Sequence, residues 1–501
     1  MLLRPSARDF QVVAYYATRV VLGVGAAMLL PAALAAALGE TSDLHGFLIA
    51  AALAILVAQV TALVIPQPRT LSSTQGLAAV AVAWLAASLF AAVPLLLSGH
   101  YAGWLDAYFE AMSGFATIGL TLANDLDHLS HSVNLWRHLM HFLGGQGIII
   151  VALSVFANAG VRAGSLYVGE AREEKILPSV VHTARFIWRV ALGYGLTGTA
   201  LLWGALLLEG MSPASGLYHA ANLFMSAFDT GGFGVMSSNV AYYRSPVVEA
   251  VLMVLMTAGA FSFALHYQVW QGRHSELWRN IETRTVAATT LGTLLVLMVG
   301  LARSGTLTDA VPLTRHGLFQ IISAHTTTGL GTVPGRLYVT DWGEMAPAML
   351  VLAMAIGGMA GSTAGGIKGL RIALLVKGLR NDIRRVLLPE SSVVIETYHS
   401  STKRILRSPQ VSAAVVFLLL WLGLYAAGSL LGLFYGYDLQ HAIFESVAAG
   451  SSGGLSVGVV RPTLEWPLKV VYVAQMLVGR LEFVAVFALF GYFFAALRGR
   501  A

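Results

Sequence analysis

Apolar runs of twenty or more residues alternate with short polar breaks along almost the whole chain. A helix rising 1.5 Å per residue needs about 20 apolar residues to cross a hydrocarbon core of about 30 Å, so each long run predicts a membrane-spanning helix. Two come first, near residues 12–38 and 46–65, and Pro66-Gln67-Pro68-Arg69 closes them off. A repeating unit then begins: a long helix, a short segment, a Gly-containing loop and a second long helix. Unit one runs through helices near 75–97 and 134–157, with a short segment near 104–115 and a loop around Gly119. Units two, three and four pair helices near 186–209 and 246–271, 285–303 and 345–376, and 411–434 and 467–497, around Gly232, Gly329 and Gly454. The pattern predicts ten spanning helices and four re-entrant ones.

The expected fold is therefore an all-α polytopic membrane protein. Four helix–pore-helix–filter–helix repeats stand in pseudo-fourfold arrangement, preceded by two extra transmembrane helices. Its parts are residues 1–70 as the N-terminal two-helix extension, 71–180 as repeat one, 181–280 as repeat two, 281–405 as repeat three and 406–501 as repeat four.

The four loops share a composition. Thr117-Ile118-Gly119, Thr230-Gly231-Gly232, Thr327-Thr328-Gly329 and Ser452-Gly453-Gly454 each put a hydroxyl residue two before a glycine, and a bulky apolar residue follows. Backbone carbonyls replace the water shell of an ion in a selectivity filter, and glycine lets the backbone turn those carbonyls toward a narrow axis. The likeness extends outward. Phe109-Glu110, Phe319-Gln320 and Phe444-Glu445 stand ten and nine residues before their glycines, where unit two has Asn222 at the Phe position. Ser113, Ser226 and Ser323 stand six before, and Ala448 takes that place in unit four. Agreement at several offsets points to duplication and fusion. Short helices entering from outside would aim their partially negative C-termini at the centre, which favours a cation, and no basic residue lies inside any of the four loops.

Composition narrows the class. Of 501 residues 56% are hydrophobic and only 11% charged, against roughly 25% charged in soluble domains. The absence of cysteine excludes disulfides, iron–sulfur clusters and thiolate metal sites. The net charge of +6 is placed for a membrane and not for nucleic acid. Arg8, Arg162, Arg172, Lys175, Arg185, Arg273, Arg279 and Arg284, the basic loop Lys377–Arg407 and the terminal Arg4, Arg498 and Arg500 fall on one side, together with Arg69. That bias assigns the side, and both termini, to the cytoplasm. The filter loops then open outward beside Asp106, Glu110, Asp125, Asp127, Asp309, Asp341 and Glu344, an acidic face that would concentrate cations. Arg244, Arg315, Arg336, Arg461 and Lys469 break the rule. The first apolar run exceeds the 7–15 residues of a secretory h-region despite Ala35-Ala36-Ala37, and reads as a retained helix.

On these motifs the chain resembles the Trk/Ktr/HKT superfamily of potassium transporters over nearly its whole length, and its two leading helices resemble the TrkH branch. The match is carried further by Phe109-Glu110-Ala111-Met112-Ser113-Gly114, Leu143-Gly144-Gly145-Gln146-Gly147-Ile148-Ile149, the run Gly357–Lys368 and Gly479-Arg480-Leu481-Glu482. The resemblance implies a gated potassium-translocating subunit in the bacterial cytoplasmic (inner) membrane, working as a homodimer with a cytosolic nucleotide-binding regulatory subunit of the TrkA type. It implies K+ as the transported ion, with no covalently bound cofactor, and filter residues at the four loops. In that superfamily a serine at the first filter glycine accompanies sodium transport, so Gly119 favours potassium. A sodium or mixed Na+/K+ transporter on the same fold is the alternative.

Several residues have two readings. Gly357, Gly358, Gly361, Ser362, Thr363, Gly365 and Gly366 form either a close helix-packing face or a broken segment that gates the pore from below, the role the resemblance implies. As a phosphate loop the run fails, because Lys368 follows isoleucine and no Gly-Lys-Ser/Thr occurs there. Arg480 lies in the last apolar run. It is either one half of a structural ion pair, with Glu482 or a distant acid, or an electrostatic barrier at the pore. Asp229 either strengthens cation binding or supports the filter from behind, and His325 reads as a packing residue. His128, His131, His138 and His141 surround the start of a helix, and interfacial packing fits them better than a metal site. The loop Lys377–Arg407 contacts either anionic membrane lipid or a soluble regulator. An enzyme would need converging acids, histidines or metal ligands, and no such constellation repeats.

Overall fold

The computed structural model describes residues 6–68, 71–123, 125–147, 180–305, 309–389 and 395–497. Six unbroken apolar segments in them are long enough to cross a membrane: Ala7–Leu38, Thr41–Val64, Ser73–Leu97, His182–Leu208, Ile281–Ser304 and Ser408–Phe434. The expected ends hold to within a few residues, and local chemistry explains them. Ser72 starts a helix by accepting from Gln75 N at 3.2 Å while Ser72 N donates to Gln75 Oε1 at 2.8 Å. Gly305, at φ +71°, stops the helix that begins at Ile281. The two leading helices pack through small residues; a Cβ on Gly25 would sit 2.9 Å from that of Ala54.

The four short segments are the helices Trp104–Phe115, Pro213–Phe228, Ala310–His325 and Leu439–Gly450. Each stops at the same place, where the backbone turns left-handed at the filter hydroxyl residue, with φ of 51°, 49°, 54° and 59° at Thr117, Thr230, Thr327 and Ser452. Ile118, Gly231, Thr328 and Gly453 then donate back to the carbonyls of Ser113, Ser226, Ser323 and Ala448 at 2.8–3.0 Å. The internal likeness read from the sequence is thus a likeness of backbone conformation.

The second helices of units two, three and four are not continuous. Residues 246–271 form Pro246–Ala260 and Phe263–Trp270, bent by 101°. Phe261 is extended there, and Ser262 caps the new helix by accepting from Leu265 N at 3.1 Å. Residues 467–497 form Trp466–Leu481 and Val484–Leu497, bent by 116°, because Glu482 and Phe483 are both left-handed at φ 53° and 69°. The third breaks at Gly357 and resumes at Gly369. In unit one the helix His131–Gln146 ends at Gly147, φ +84°. The rest of its expected span, Ile148 and Ile149, and the basic residues Arg162, Arg172 and Lys175 lie outside the described residues, as do Arg4, Arg69, Arg498 and Arg500.

Part of the basic loop is folded. Lys377–Arg385 belong to the helix Gly369–Leu387, and a hairpin pairs Thr397–Ser400 with Thr402–Ile405 about a left-handed Ser401. Four-residue strands without Gly or Asn at the turn gave no signal in the sequence. Lys377 anchors the hairpin, donating to Glu396 Oε1 at 2.6 Å and to the Thr397 carbonyl at 2.9 Å. The bond from Lys377 holds the Glu396 carboxyl below its usual range. A lowered carboxylate pKa contributes stability above its unfolded value and loses it as pH falls through the folded one. Hairpin amides should therefore stay protected from hydrogen exchange at neutral pH and lose protection below the ordinary carboxylate range. In E396Q that pH dependence should vanish.

Candidate functional site

The four glycines of the loops meet one another in a closed ring. A Cβ built on Gly119 would stand 2.8 Å from the Gly232 carbonyl carbon, and one on Gly329 would stand 2.7 Å from that of Gly454. Gly232 abuts Thr328 and Gly329 in the same way, and Gly454 closes the ring against Ile118. All four have φ between 66° and 87°. Glycine is required twice over, for the conformation and for the approach of the next loop. On one side of the ring a cavity of about 260 Å³ is lined by Gly119, Gly232, Gly329 and Gly454 together.

Buried side chains hold the loops open to that cavity. Glu110 accepts from Thr121 Oγ1 and Leu122 N, both at 2.9 Å. Glu445 accepts from Ser456 Oγ at 2.5 Å and Val457 N at 3.0 Å, the same two positions after the glycine. Gln320 reaches Thr332 at 3.2 Å. Unit two has Leu223 at this offset and borrows support from unit one. Asn134 donates to the Val235 carbonyl at 2.9 Å, Arg137 to that of Gly234 at 3.4 Å, and His138 Nε2 lies 3.2 Å from that of Phe233. His138 and His141 thus both pack against the second loop, His138 through this contact and His141 through its ring. His141 stacks on Phe233 with ring centroids 4.2 Å apart. No group of three or more metal-ligating side chains occurs among the described residues.

Two expectations about the acidic face are corrected. Glu110 and Asp106 are buried and paired, Glu110 with Arg137 at 2.7 Å and Asp106 with Lys469 at 2.5 Å. They staple elements together and project little field into the mouth. The same pairing explains two basic residues that broke the charge rule: Lys469 meets Asp106, and Arg315 clamps Glu249 with two bonds of 2.7 Å. The sequence reading missed Arg137 because nothing in its local pattern distinguishes it.

The Gly-rich run lies on the other side of the ring. From Gly357 to Lys368 the backbone is non-helical, with Gly357, Gly361 and Gly366 left-handed. Gly365 N donates to Thr327 Oγ1 at 2.7 Å, and Thr363 Oγ1 lies 3.2 Å from Thr230 Oγ1. A Cβ on Gly365 would fall 2.9 Å from Ser452 Oγ. Arg480 completes the set, donating to Thr117 Oγ1 at 3.1 Å, the Thr363 carbonyl at 2.8 Å and the Gly144 carbonyl at 2.5 Å. The hydroxyls of Thr117, Thr230 and Thr327 are thus each hydrogen-bonded by this loop or by Arg480, and Gly365 packs beside Ser452. The space below, bounded by Gly361, Gly365, Gly479 and Arg480, is only about 20 Å³. Gly358 and Ser362 brace the loop, through Gly369 N on the Gly358 carbonyl at 2.9 Å and Ser362 Oγ on the Met359 carbonyl at 2.7 Å.

The remaining doubtful residues find positions. Glu482 pairs with Arg371, with Lys368 at 3.8 Å, so it ties the end of the Gly-rich run to the bend of the last helix. Asp229 lies behind the ring and accepts from Gln146 Nε2 at 2.6 Å. His325 Nε2 lies 2.8 Å from Thr289 Oγ1, within the packing between helices. A further repeated device escaped the sequence reading. Gly144, Gly259 and Gly479 press on the last-turn carbonyls of Phe115, Phe228 and Gly450, and a Cβ would sit 2.7–3.0 Å from those carbonyl carbons.

These features define the class: a polytopic helical membrane protein built around four loops that meet on one line. The chain belongs to the TrkH family of cation transport proteins, whose model matches residues 45–492. It is 32% identical over 438 residues to an uncharacterised cation transporter of Methanocaldococcus jannaschii, covering 86% of this chain and 85% of that protein. The Trk system potassium uptake proteins TrkH of Halomonas elongata and Escherichia coli are 28% and 27% identical, each over 84% of this chain and 86% of its own length. The crystal structure of the potassium transporter TrkH from Vibrio parahaemolyticus superposes with a TM-score of 0.81 at 23% identity, over 96% of this chain and 98% of that one.

The supports of the loops make separable predictions. E110Q leaves Arg137 buried without a counter-charge and sets an amide NH2 against Leu122 N, so it should destabilise the protein by roughly 3–5 kcal/mol. E445Q keeps the oxygen that accepts all three of its bonds. It should cost less than about 1.5 kcal/mol, within the range of one ordinary hydrogen bond. Denaturation of the purified variants in detergent reads the difference.

Proposed function

We propose that this protein is a gated potassium-translocating subunit of a bacterial cytoplasmic membrane. The observation that carries the reading is the ring itself: four loops of equal backbone conformation, open to one cavity above and covered by one segment below. In this reading a K+ ion exchanges water for oxygens of Thr117, Ile118, Gly119, Thr230, Gly231, Gly232, Thr327, Thr328, Gly329, Ser452, Gly453 and Gly454. The four short helices point their C-termini toward the ring, which favours a cation over an anion. The names of the Trk system relatives support potassium as the cargo.

The segment Gly357–Gly366 then acts as the gate and Arg480 as its latch. Its contacts with all four units, directly or through Arg480, give a single movable element control of the whole ring. The charge of Arg480 beside Thr117 opposes the passage of a cation while the loop is in place. Opening is assigned to a cytosolic nucleotide-binding partner of the TrkA type docking on the basic side of a homodimer, with both termini on that side. The repeat boundaries at residues 71, 181, 281 and 406 belong to the same reading.

Flux into liposomes holding the purified protein, with K+ and Na+ compared, tests this directly. Potassium should pass preferentially, and equal or greater sodium flux would favour the sodium alternative. G119S should lower the preference by at least roughly tenfold, equivalent to about 1.4 kcal/mol, because a side chain there displaces the Gly232 backbone. Shortening the run between Gly361 and Gly365, or replacing Arg480 by alanine, should raise flux. Unchanged flux in folded variants of both kinds would remove the segment as the gate.

A further inference from the structure

An apolar cavity of about 490 Å³ lies between the bend of residues 246–270, the short helix Glu276–Arg279, the helix Ile281–Ser304 and the end of the helix Ala310–His325, where Ile322, His325 and Thr326 form its inner wall. Thr283, Ala287, Thr290 and Leu294 line it as one stripe of the helix Ile281–Ser304. The stripe spans eleven residues, or about 16 Å at 1.5 Å each, close to the thickness of one leaflet, half of about 30 Å. At its shallow end Thr283 is 9% exposed, and its Oγ1 has no hydrogen-bond partner among the described residues. Near this end stand the exposed Arg279 and Arg284, with Arg284 Nε donating to the carbonyl of the lining residue Trp278 at 2.6 Å, and the exposed indoles of Trp270 and Trp278. The two acids of the segment are occupied elsewhere, Glu276 by His399 at 2.8 Å and Glu282 by Ala360 N at 2.7 Å.

We propose that this cavity binds one anionic phospholipid from the Arg-rich leaflet. Its polarity runs in the order of such a molecule. Arginines at its mouth meet the phosphate, and the apolar stripe takes an acyl chain. Tryptophans at this depth match the interfacial preference of the indole. The cavity is separate from the basic loop Lys377–Arg407 but backs onto the third loop, since its lining residue Thr326 shares a hydrogen bond of 2.7 Å with Thr328. Both of its walls nevertheless hold the Gly-rich run: Ala260 accepts from Met359 N at 3.1 Å, and Glu282 adjoins Thr283.

The test uses the full chain in detergent micelles carrying equal mole fractions of phosphatidylglycerol and phosphatidylcholine, with retained lipid counted by native mass spectrometry. One phosphatidylglycerol per chain should be retained, at least about fivefold over phosphatidylcholine, as roughly 1 kcal/mol per nearby arginine implies. A287W and L291W, at membrane-facing positions where an indole fills the cavity without entering the core, should each abolish retention. R279Q with R284Q should weaken it about thirtyfold, again on that scale, whereas R404Q should leave it unchanged. Equal retention of both lipids, retention that survives both tryptophans, or a cross-link from Thr290 to a second copy would overturn the proposal. None of these readouts depends on ion flux.

Discussion

Backbone that leaves the helix inside a membrane must find partners for its amides and carbonyls within the protein or in enclosed water. Every unusual feature of this chain answers that demand. The four filter loops are non-helical, and so are the run Gly357–Lys368 and the bends near Phe261 and Glu482. They satisfy one another. Gly259 and Ala260, at one bend, accept from Thr363 N and Met359 N at 3.2 and 3.1 Å. Gly365 N finds a filter hydroxyl. The breaks therefore sit at one depth and depend on each other, and a continuous helix at any of these places would strand the polar groups of its neighbours.

The fourfold repeat is strict at the ring and loose around it. All four glycines and all four left-handed hydroxyl residues recur, because each faces the next repeat and no side chain fits between. Outside the ring the solutions diverge. Glu110, Gln320 and Glu445 tie down their own loops, while unit two relies on Asn134, Arg137 and His138 of unit one. Only Glu110 of the three also neutralises a buried arginine, which makes equivalent positions unequal in what they hold together.

How much of this was legible follows from the range of each interaction. The helices, the short re-entrant segments and the ring residues were readable, because hydrophobic length and the glycine spacing are local signals. The bends were not. Phe261-Ser262 and Glu482-Phe483 contain neither Gly nor Pro, and their geometry is imposed by contacts with the Gly-rich run and with Arg371. The pairings of Arg137, Lys469 and Arg315 were not readable for the same reason: their partners lie 27, 363 and 66 residues away. Charge counting placed Asp106 and Glu110 on the surface because it sees sign and position but not pairing.

The ring of glycines closes between its first and last members, where Gly454 meets Ile118. Away from the ring, Phe10 of the first helix and Tyr492 of the last meet edge to face at 5.8 Å. Three repeats can be in the membrane with the fourth side still missing. From Gly329 to Gly454 the ribosome adds 125 residues, a delay of roughly 6–25 s at about 5–20 residues per second. For that interval the nascent protein holds three members of the ring without the fourth, and the polar groups that Gly454 will cover at Ile118 must find other partners.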